Sequence, residues 1–224
     1  MKNKSLFIEA ICKFSAGVLL IALLLFLPAG SFAFWQAWLF MAILFIPMFC
    51  AGIVMLVKNP SLLRSRLKNK EKQKEQDKVI KLSGLMFLCG FVIAGLNFRF
   101  EWLLLPKWSA YAAAAIFLLA YMLYAEVLRE NTYLSRIIEV QEGQKVIDTG
   151  LYAKVRHPMY SATVLLFLSM PLVLGSLLSF VIFLVYPMLI TKRIKNEEEV
   201  LSAELEGYAE YKTRVKYRLI PFIW

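Results

Sequence analysis

The sequence predicts an all-α, multi-pass transmembrane bundle of about six membrane helices, the last two forming a C-terminal helical hairpin. Three observations carry that prediction. The 224 residues are 60% hydrophobic, with a mean hydropathy of +0.62 and only 19% charged, against roughly 25% charged in ordinary soluble domains. The apolar residues fall in blocks too long for one globular core to absorb, which excludes a soluble enzyme as well as disorder, collagen and coiled coil. The 26 basic residues, which give a net charge of +10, gather in alternate connections between those blocks.

A hydrocarbon core about 30 Å thick requires about 20 mostly apolar helical residues. Four blocks meet that length: residues 14–33, 34–57, 79–98 and 108–128. The first follows Lys2, Lys4 and Lys13 as a signal peptide would, but it is too long and leads straight into the next block, so cleavage is not expected. A fifth apolar region, 159–191, is interrupted by Pro171 and Gly175, residues that bend or end helices. It reads as a hairpin with both ends on one side. Arms of about 16 residues span about 24 Å, which leaves open whether the tip reaches the far surface. The chain thus divides into four helices over 1–128 and a second region over 129–224, made of a cytoplasmic loop, the hairpin 159–191 and an amphipathic C-terminal helix.

Orientation follows from the basic residues. The amino-terminal segment holds three, the 58–81 loop nine, the 129–156 loop five and the tail from Lys192 seven, leaving Arg99 and Lys107 for the other face. Both termini and both long loops are therefore expected in the cytoplasm. The charge sits at membrane boundaries and not in a folded basic domain, so a nucleic-acid partner is not expected. The 58–81 loop is expected to form a solvated helix or linker that meets anionic lipid head groups. A sharper reading has Lys68, Lys70, Lys72 and Lys74 recruiting an anionic substrate. Cys12, Cys50 and Cys89 lie inside apolar stretches without metal-ligand spacing and are expected to be small buried thiols. No metal is implied, and oligomeric state is left open.

Two polar segments flank the hairpin. In 148–160, Pro158 suits a first helical position, so free N–H groups and the positive helix end lie beside Arg156 and His157, the one histidine of the chain. That arrangement suits an anionic group. In 191–201, Arg193 and Glu197 stand four apart on one helical face. Elsewhere such a pair is a surface salt bridge, but the hairpin ties it to the Arg156–His157 segment at the inner membrane face. Downstream, Leu201, Leu205, Tyr208, Tyr211 and Val215 form an amphipathic stripe expected to pack on the bundle or lie in the interface. The closing Pro221-Phe222-Ile223-Trp224 reads as an aromatic interfacial anchor.

The combination of Gly150-x-Tyr152-x-x-x-Arg156-His157-Pro158-x-Tyr160, an apolar hairpin, Arg193-Ile194-x-x-Glu197-Glu198-x-x-Leu201 and Gly207-Tyr208-x-x-Tyr211 resembles the isoprenylcysteine carboxyl methyltransferase family and its phospholipid methyltransferase relatives. The resemblance covers about the last 85 residues. It implies methyl transfer from S-adenosyl-L-methionine at the membrane surface, to a lipophilic acceptor entering from the membrane. It implies a cofactor site of Gln141, Gln144, Lys145, Val146, Ile147, Tyr152, His157, Pro158, Met159, Tyr160 and Glu197. Arg193 and Arg156 are then the candidate catalytic residues, with Arg193 and Glu198 facing the acceptor. Gln144 stands where many members have histidine, and Ser161 where many have glycine.

The cofactor's ammonium and carboxylate require both signs of charge, which Glu197 and His157 with the helix-start N–H groups would supply. A carboxylate acceptor needs no base and suits Arg193; a lipid amine would need one, such as Glu198. An isoprenylcysteine-like carboxylate is the first expectation, with a phospholipid amine or a thiol as alternatives. Two other classes remain: a sterol-type membrane reductase using NADPH, whose Arg-His-Pro-x-Tyr segment is similar, and a non-enzymatic scaffold or transporter, for which Glu126 is the best ion-path residue.

Overall fold

A computed structural model of the chain describes residues 2–67, 74–134, 138 and 140–224, with side chains for 5–67, 77–134, 138 and 140–224. Among the described residues there are nine α-helices and no strand: α1 Lys2–Ala29, α2 Trp35–Lys58, α3 Pro60–Leu67, α4 Lys74–Phe100, α5 Lys107–Glu130, α6 Pro158–Val173, α7 Leu177–Phe183, α8 Val185–Glu204 and α9 Tyr208–Arg214. Five spans are long and apolar enough to cross a membrane: Ser5–Ala29, Trp35–Lys58, Asp77–Phe100, Lys107–Glu130 and Leu177–Glu204. The protein is an integral membrane protein. Pro158–Val173 is shorter, 16 residues, or about 24 Å of helix.

Several boundaries differ from the sequence reading, each for a local reason. Helix α1 begins at Lys2, well before residue 14, because the polar start of the chain continues the helical turn below the membrane. Pro171 does not break the hairpin but stays inside α6. The break falls at Gly175, which takes φ +69, after which Ser176 caps α7 by accepting from Ser179 N at 3.2 Å. The second arm is jointed at Leu184. Pro187 lacks the N–H that Phe183 would otherwise bond, so the helix re-forms as α8.

The tip of the hairpin reaches the α4–α5 connection. Leu105 N donates to Gly175 O at 2.9 Å and Leu177 N to Leu103 O at 3.3 Å, an antiparallel bridge between Leu104 and Ser176. Asn97, fully buried, holds the same connection through both Leu103 backbone groups. At the opposite end Lys13 donates to Leu67 O at 2.8 Å and Ser65 to Leu134 O at 3.3 Å, so the amino-terminal segment, α3 and the 131–147 run share one face. Asn59 starts α3 by accepting from Leu62 N at 3.1 Å, with Pro60 following. Leu62 and Leu63 then bury, so this part of the 58–81 loop is docked and not solvated. Lys68, Lys70 and Lys72, and the side chain of Lys74, lie outside the described residues.

One apolar core runs through both halves of the chain, joining Phe34 just before α2, Phe40 of α2, Phe91 of α4 and Phe117 of α5 to Leu166, Val173 and Ile194 of the C-terminal helices. Contact is closest where side chains are absent: a Cβ on Gly90 would stand 2.2 Å from the Phe183 ring. The outer surface carries the reverse pattern, with Leu19, Leu23, Ile46, Leu85, Leu119 and Met188 exposed, as helices facing hydrocarbon require. Cys12, Cys50 and Cys89 belong to this surface. They are free and exposed, which corrects the buried placement: an apolar neighbourhood in a membrane span marks the lipid side as readily as the core.

Candidate functional site

Four segments meet at the face that carries α3 and close around a cleft of about 90 Å³. The first is the described part of 131–147. Asn131 Oδ1 accepts from Tyr133 N at 3.0 Å while its Nδ2 donates to the Tyr152 hydroxyl at 3.1 Å. Tyr133 donates to Gly143 O at 3.1 Å, and Gln141 N donates to Gln144 Oε1 at 2.9 Å. The second segment is the turn leading into α6. Gly150 takes φ +51, and Leu151 N donates to the Glu130 carboxylate at 3.0 and 3.2 Å. A Cβ on Gly150 would lie 1.5 Å from Glu130 Oε1, so the turn and its anchor require glycine. The third is α8, whose Arg193, Glu197 and Leu201 recur at the helical spacing and line the cleft with Leu205. Tyr208 and Tyr211 of α9 complete it, Tyr211 donating to Tyr152 O at 2.8 Å.

The polar groups form a connected set. The Tyr160 hydroxyl donates to Glu197 Oε2 and accepts from Arg193 Nε at 2.9 Å. The Arg193–Glu197 pair expected from spacing is therefore bridged by a tyrosine from the other arm of the hairpin. His157 sits between two glutamates, Nε2 at 3.2 Å from Glu198 Oε1 and Nδ1 at 4.0 Å from Glu197 Oε1. Burial holds the Tyr152, Tyr208 and Tyr211 phenols well above the ordinary tyrosine range, and the charges of Glu198 and Glu197 push Tyr208 further. All three are neutral. The Tyr208 hydroxyl is also buried without a hydrogen-bond partner among the described residues, and it belongs to the cleft wall.

Glu198 is the centre of a separate, buried cluster. It accepts from Arg156 Nε at 2.7 Å, His157 Nε2 at 3.2 Å and Arg218 Nε at 3.0 Å, with Lys212 Nζ 3.9 Å away. Arg156 Nη1 donates to Val215 O at 2.6 Å and Lys216 O at 2.9 Å. The chain after α9 then lies along the start of α6: Arg156 N donates to Tyr217 O and His157 N to Arg218 O, both at 2.9 Å. These contacts clamp the C-terminal segment over the helix start.

Of the residues singled out from sequence, Gln144, Lys145, Val146, Ile147, Tyr152, Arg156, His157, Met159, Tyr160, Arg193 and Glu197 line the cleft, whereas Gln141, Pro158 and Glu198 do not. Gln141 supports the cleft indirectly, its Nε2 donating to Tyr133 O. Pro158 starts α6 and is buried beneath it. Glu198 is turned toward its arginines and so is not placed to act as a base. Arg156 reaches the cleft wall, but its Nε and Nη1 serve Glu198 and the C-terminal carbonyls. The helix-start donors expected to face an anion are partly consumed as well, Tyr160 N and Ser161 N bonding back to His157 O. Asn131, Tyr133, Leu134 and Ile138 line the cleft without any sequence signal. Tyr208 and Tyr211 were visible as part of a packing stripe and of the closing motif, without a role at the site.

The cleft presents Glu197 with Lys145, Arg193 and His157, apolar walls from Leu134, Ile138, Val146, Leu201 and Leu205, and one orphaned buried hydroxyl. That donor set fits a zwitterionic ligand with an apolar or aromatic part, as S-adenosylmethionine is. Among the described residues no cluster of histidine, cysteine or carboxylate side chains could hold a metal.

Comparison with known proteins bears on the same region. Residues 90 long, 39% of this chain, are 30% identical to a Delta(14)-sterol reductase of Mus musculus. The match spans only 22% of that protein's length. A family model described as the isoprenylcysteine carboxyl methyltransferase (ICMT) family matches residues 111–203. That match takes in α5 to α8 and most of the cleft. It extends further upstream than the motifs alone and stops before Tyr208 and Tyr211. It supports a membrane methyltransferase: residues 111–203 of this integral membrane protein are similar to the ICMT family.

Proposed function

We propose that this chain is an S-adenosylmethionine-dependent methyltransferase that methylates the carboxylate of a lipophilic, isoprenylcysteine-like acceptor entering from the membrane. The observation that carries the reading is the cleft at the α3 face, where Glu197, Tyr160 and Arg193 are joined in one chain and whose lining includes Tyr208, with a buried hydroxyl that has no partner among the described residues. When bound, S-adenosylmethionine would supply its sulfonium methyl group to an ionised oxygen, the C–S bond breaking as the C–O bond forms and S-adenosylhomocysteine leaving, so no general base is needed. Glu197 would hold the ammonium, and Lys145 and Tyr208 are the donors open to its carboxylate. Arg193 is fixed by Tyr160 and orients the acceptor carboxylate, with two N–H groups matching two oxygens. The apolar walls exclude water, so the acceleration comes from holding the reacting atoms in line and dry. The distribution of basic residues supports a topology with both termini cytoplasmic and the 58–81 loop facing anionic lipid.

The similarity to a sterol reductase makes NADPH the rival ligand. Glu197 in the cleft favours a cation-bearing ligand over a polyanionic dinucleotide. Calorimetry with S-adenosylhomocysteine and with NADPH, on wild type and Glu197→Gln in detergent, separates the two. Binding of S-adenosylhomocysteine alone, at least tenfold weaker in the variant, is expected. Binding of NADPH alone would transfer the cleft to the reductase class.

A further inference from the structure

We infer that the turn formed by residues 218–224 is a membrane-insertion element: Ile220, Phe222 and Ile223 dip into the lipid leaflet beside the start of α6, and that contact holds His157 in place at the cleft. The inference goes beyond the methyltransferase reading and takes from it only S-adenosylhomocysteine as a probe.

The turn closes on itself. Trp224 O accepts from Arg218 N and Leu219 N at 2.9 Å and from Ile220 N at 3.1 Å, and Trp224 N donates back to Ile220 O at 3.2 Å. Its side chains then divide between two environments. Leu219 and Trp224 pack against the apolar core, with the Arg218 guanidinium over the Trp224 ring, 5.2 Å from its centroid. Ile220, Phe222 and Ile223 are instead 50%, 86% and 76% exposed, with Pro221 exposed among them. The tryptophan of the expected interfacial anchor therefore serves the fold, and the rim left for the membrane is aliphatic and phenyl. Phe222 also takes φ +68, a left-handed backbone that is strained for a residue with a Cβ and free for glycine. An apolar ring kept at that position, almost wholly outside the protein's own packing, points to an apolar neighbour outside the chain.

That neighbour is the leaflet. Ser161, in the first turn of α6, donates to Leu219 O at 2.6 Å, and α6 runs from there through the apolar core to the hairpin tip at the opposite face. The rim thus stands at the depth where the bundle leaves the membrane. Over 208–224 four basic residues, Lys212, Arg214, Lys216 and Arg218, stand against one acidic residue, Glu210. Arg214 is spent on Asp148 at 2.9 Å and Arg218 on Glu198, but Lys216 is exposed and has no ion pair among the described residues. An apolar rim followed at a short distance by cations is complementary to the boundary between acyl chains and anionic head groups.

The same segment holds the cleft. Arg156 N donates to Tyr217 O and His157 N to Arg218 O, both at 2.9 Å. Arg218 Nε and His157 Nε2 meet on the Glu198 carboxylate, at 3.0 and 3.2 Å. His157 lines the cleft and is the residue from which α6 starts. A turn lifted off the leaflet pulls on Tyr217 and Arg218, releases both amides and leaves His157 unsupported, so insertion of the rim raises the population of the binding-competent cleft. These residues lie outside the matched region 111–203, and the coupling is a property of this chain's own last segment.

The test uses the full chain in nanodiscs of phosphatidylcholine and phosphatidylglycerol. For depth, a nitroxide is attached at Phe222→Cys or Ile223→Cys with Cys12, Cys50 and Cys89 replaced by alanine. Power saturation should show oxygen access exceeding nickel-chelate access at both labels, and the reverse at a reference Lys212→Cys label. For coupling, S-adenosylhomocysteine affinity is measured by calorimetry and amide exchange is followed at 152–158. The double variant Phe222→Gly, Ile223→Ser removes the apolar rim, while its glycine suits the left-handed turn and guards against a folding defect. It should bind at least about fivefold more weakly, as a competent fraction cut to about a fifth requires, and its 152–158 amides should exchange faster. Phe222→Leu with Ile223→Val keeps the rim apolar and should match wild type in both readouts. Nickel-chelate access at the rim labels equal to that at Lys212→Cys, or wild-type affinity and exchange in the glycine–serine variant, would each overturn the inference and leave the methyltransferase reading standing. Absence of S-adenosylhomocysteine binding by wild type would overturn that reading instead, with depth and exchange still deciding the inference.

Discussion

Replacing Glu198 by glutamine tests the claim that it is a clamp and not a base. The side chains of Glu198 and Arg156 are 2% and 4% exposed, and they meet at 2.7 Å. The substitution keeps the shape but removes the charge that compensates Arg156 and, at a more exposed site, Arg218. Leaving one partner of a buried pair uncompensated costs about 3–5 kcal/mol. Even the low end, about 3 kcal/mol at roughly 1.4 kcal/mol per decade, corresponds to about a hundredfold rise in opening of the clamped segment. The local reporters are the amides of Arg156 and His157, which donate to Tyr217 O and Arg218 O. Hydrogen–deuterium exchange of peptides covering 152–158 should accelerate by about two orders of magnitude in Glu198→Gln, while peptides from α4 and α5 keep their wild-type rates. Arg156→Lys should produce the same signature, since an ammonium cannot serve the carboxylate and two carbonyls from one fork. Wild-type exchange at 152–158 in both variants would refute the clamp, and would return Glu198 to consideration as an acid–base group.

Three further outcomes are expected. Tyr208→Phe removes a buried hydroxyl without a partner, so thermal stability should stay within about 0.5 kcal/mol of wild type while S-adenosylhomocysteine binding weakens by about five- to tenfold, one hydrogen bond's worth; calorimetry and a melting curve check both halves. Gly150→Ala forces a left-handed turn on a residue with a Cβ, at about 1–2 kcal/mol, and drives that atom into the Glu130 carboxylate; proteolysis in the 131–151 run should rise and cofactor binding should fall, and a wild-type digestion pattern would refute the anchor. Gly90→Ala places a methyl against the buried Phe183 ring and should lower stability by about 1–3 kcal/mol through overpacking, read as a lowered melting temperature in detergent with unchanged cofactor affinity.

The membrane class and the helix positions were legible because both follow from chain-local physics. A span must be about 20 apolar residues long, and the basic loops announce which connections share a face. The α4 and α5 positions and the start of the hairpin lie within a few residues of their expected bounds for that reason, while the second arm continues past residue 191 to Glu204. The same logic misplaced the cysteines, since hydropathy cannot tell a lipid-facing position from a core-facing one: both are apolar.

At the site, the sequence by itself determined which residues of 144–160 and 193–197 belong near one another, because a hairpin returns the chain to its starting face and a spacing of four keeps Arg193, Glu197 and Leu201 on one side of α8. Only the tertiary structure decided how they divide. It put Tyr160 between Arg193 and Glu197, turned Glu198 away into a buried cluster with Arg156 and Arg218, brought Asn131 and Tyr133 in from a loop without periodicity, and left Tyr208 facing the cleft with its hydroxyl unpaired. Adjacent residues such as Glu197 and Glu198 are separated by about 100° around a helix. Which of two neighbouring carboxylates faces ligand and which faces the fold is therefore settled by the elements that pack on each side, and those come from 37 to 42 positions back in the chain or from its last ten residues.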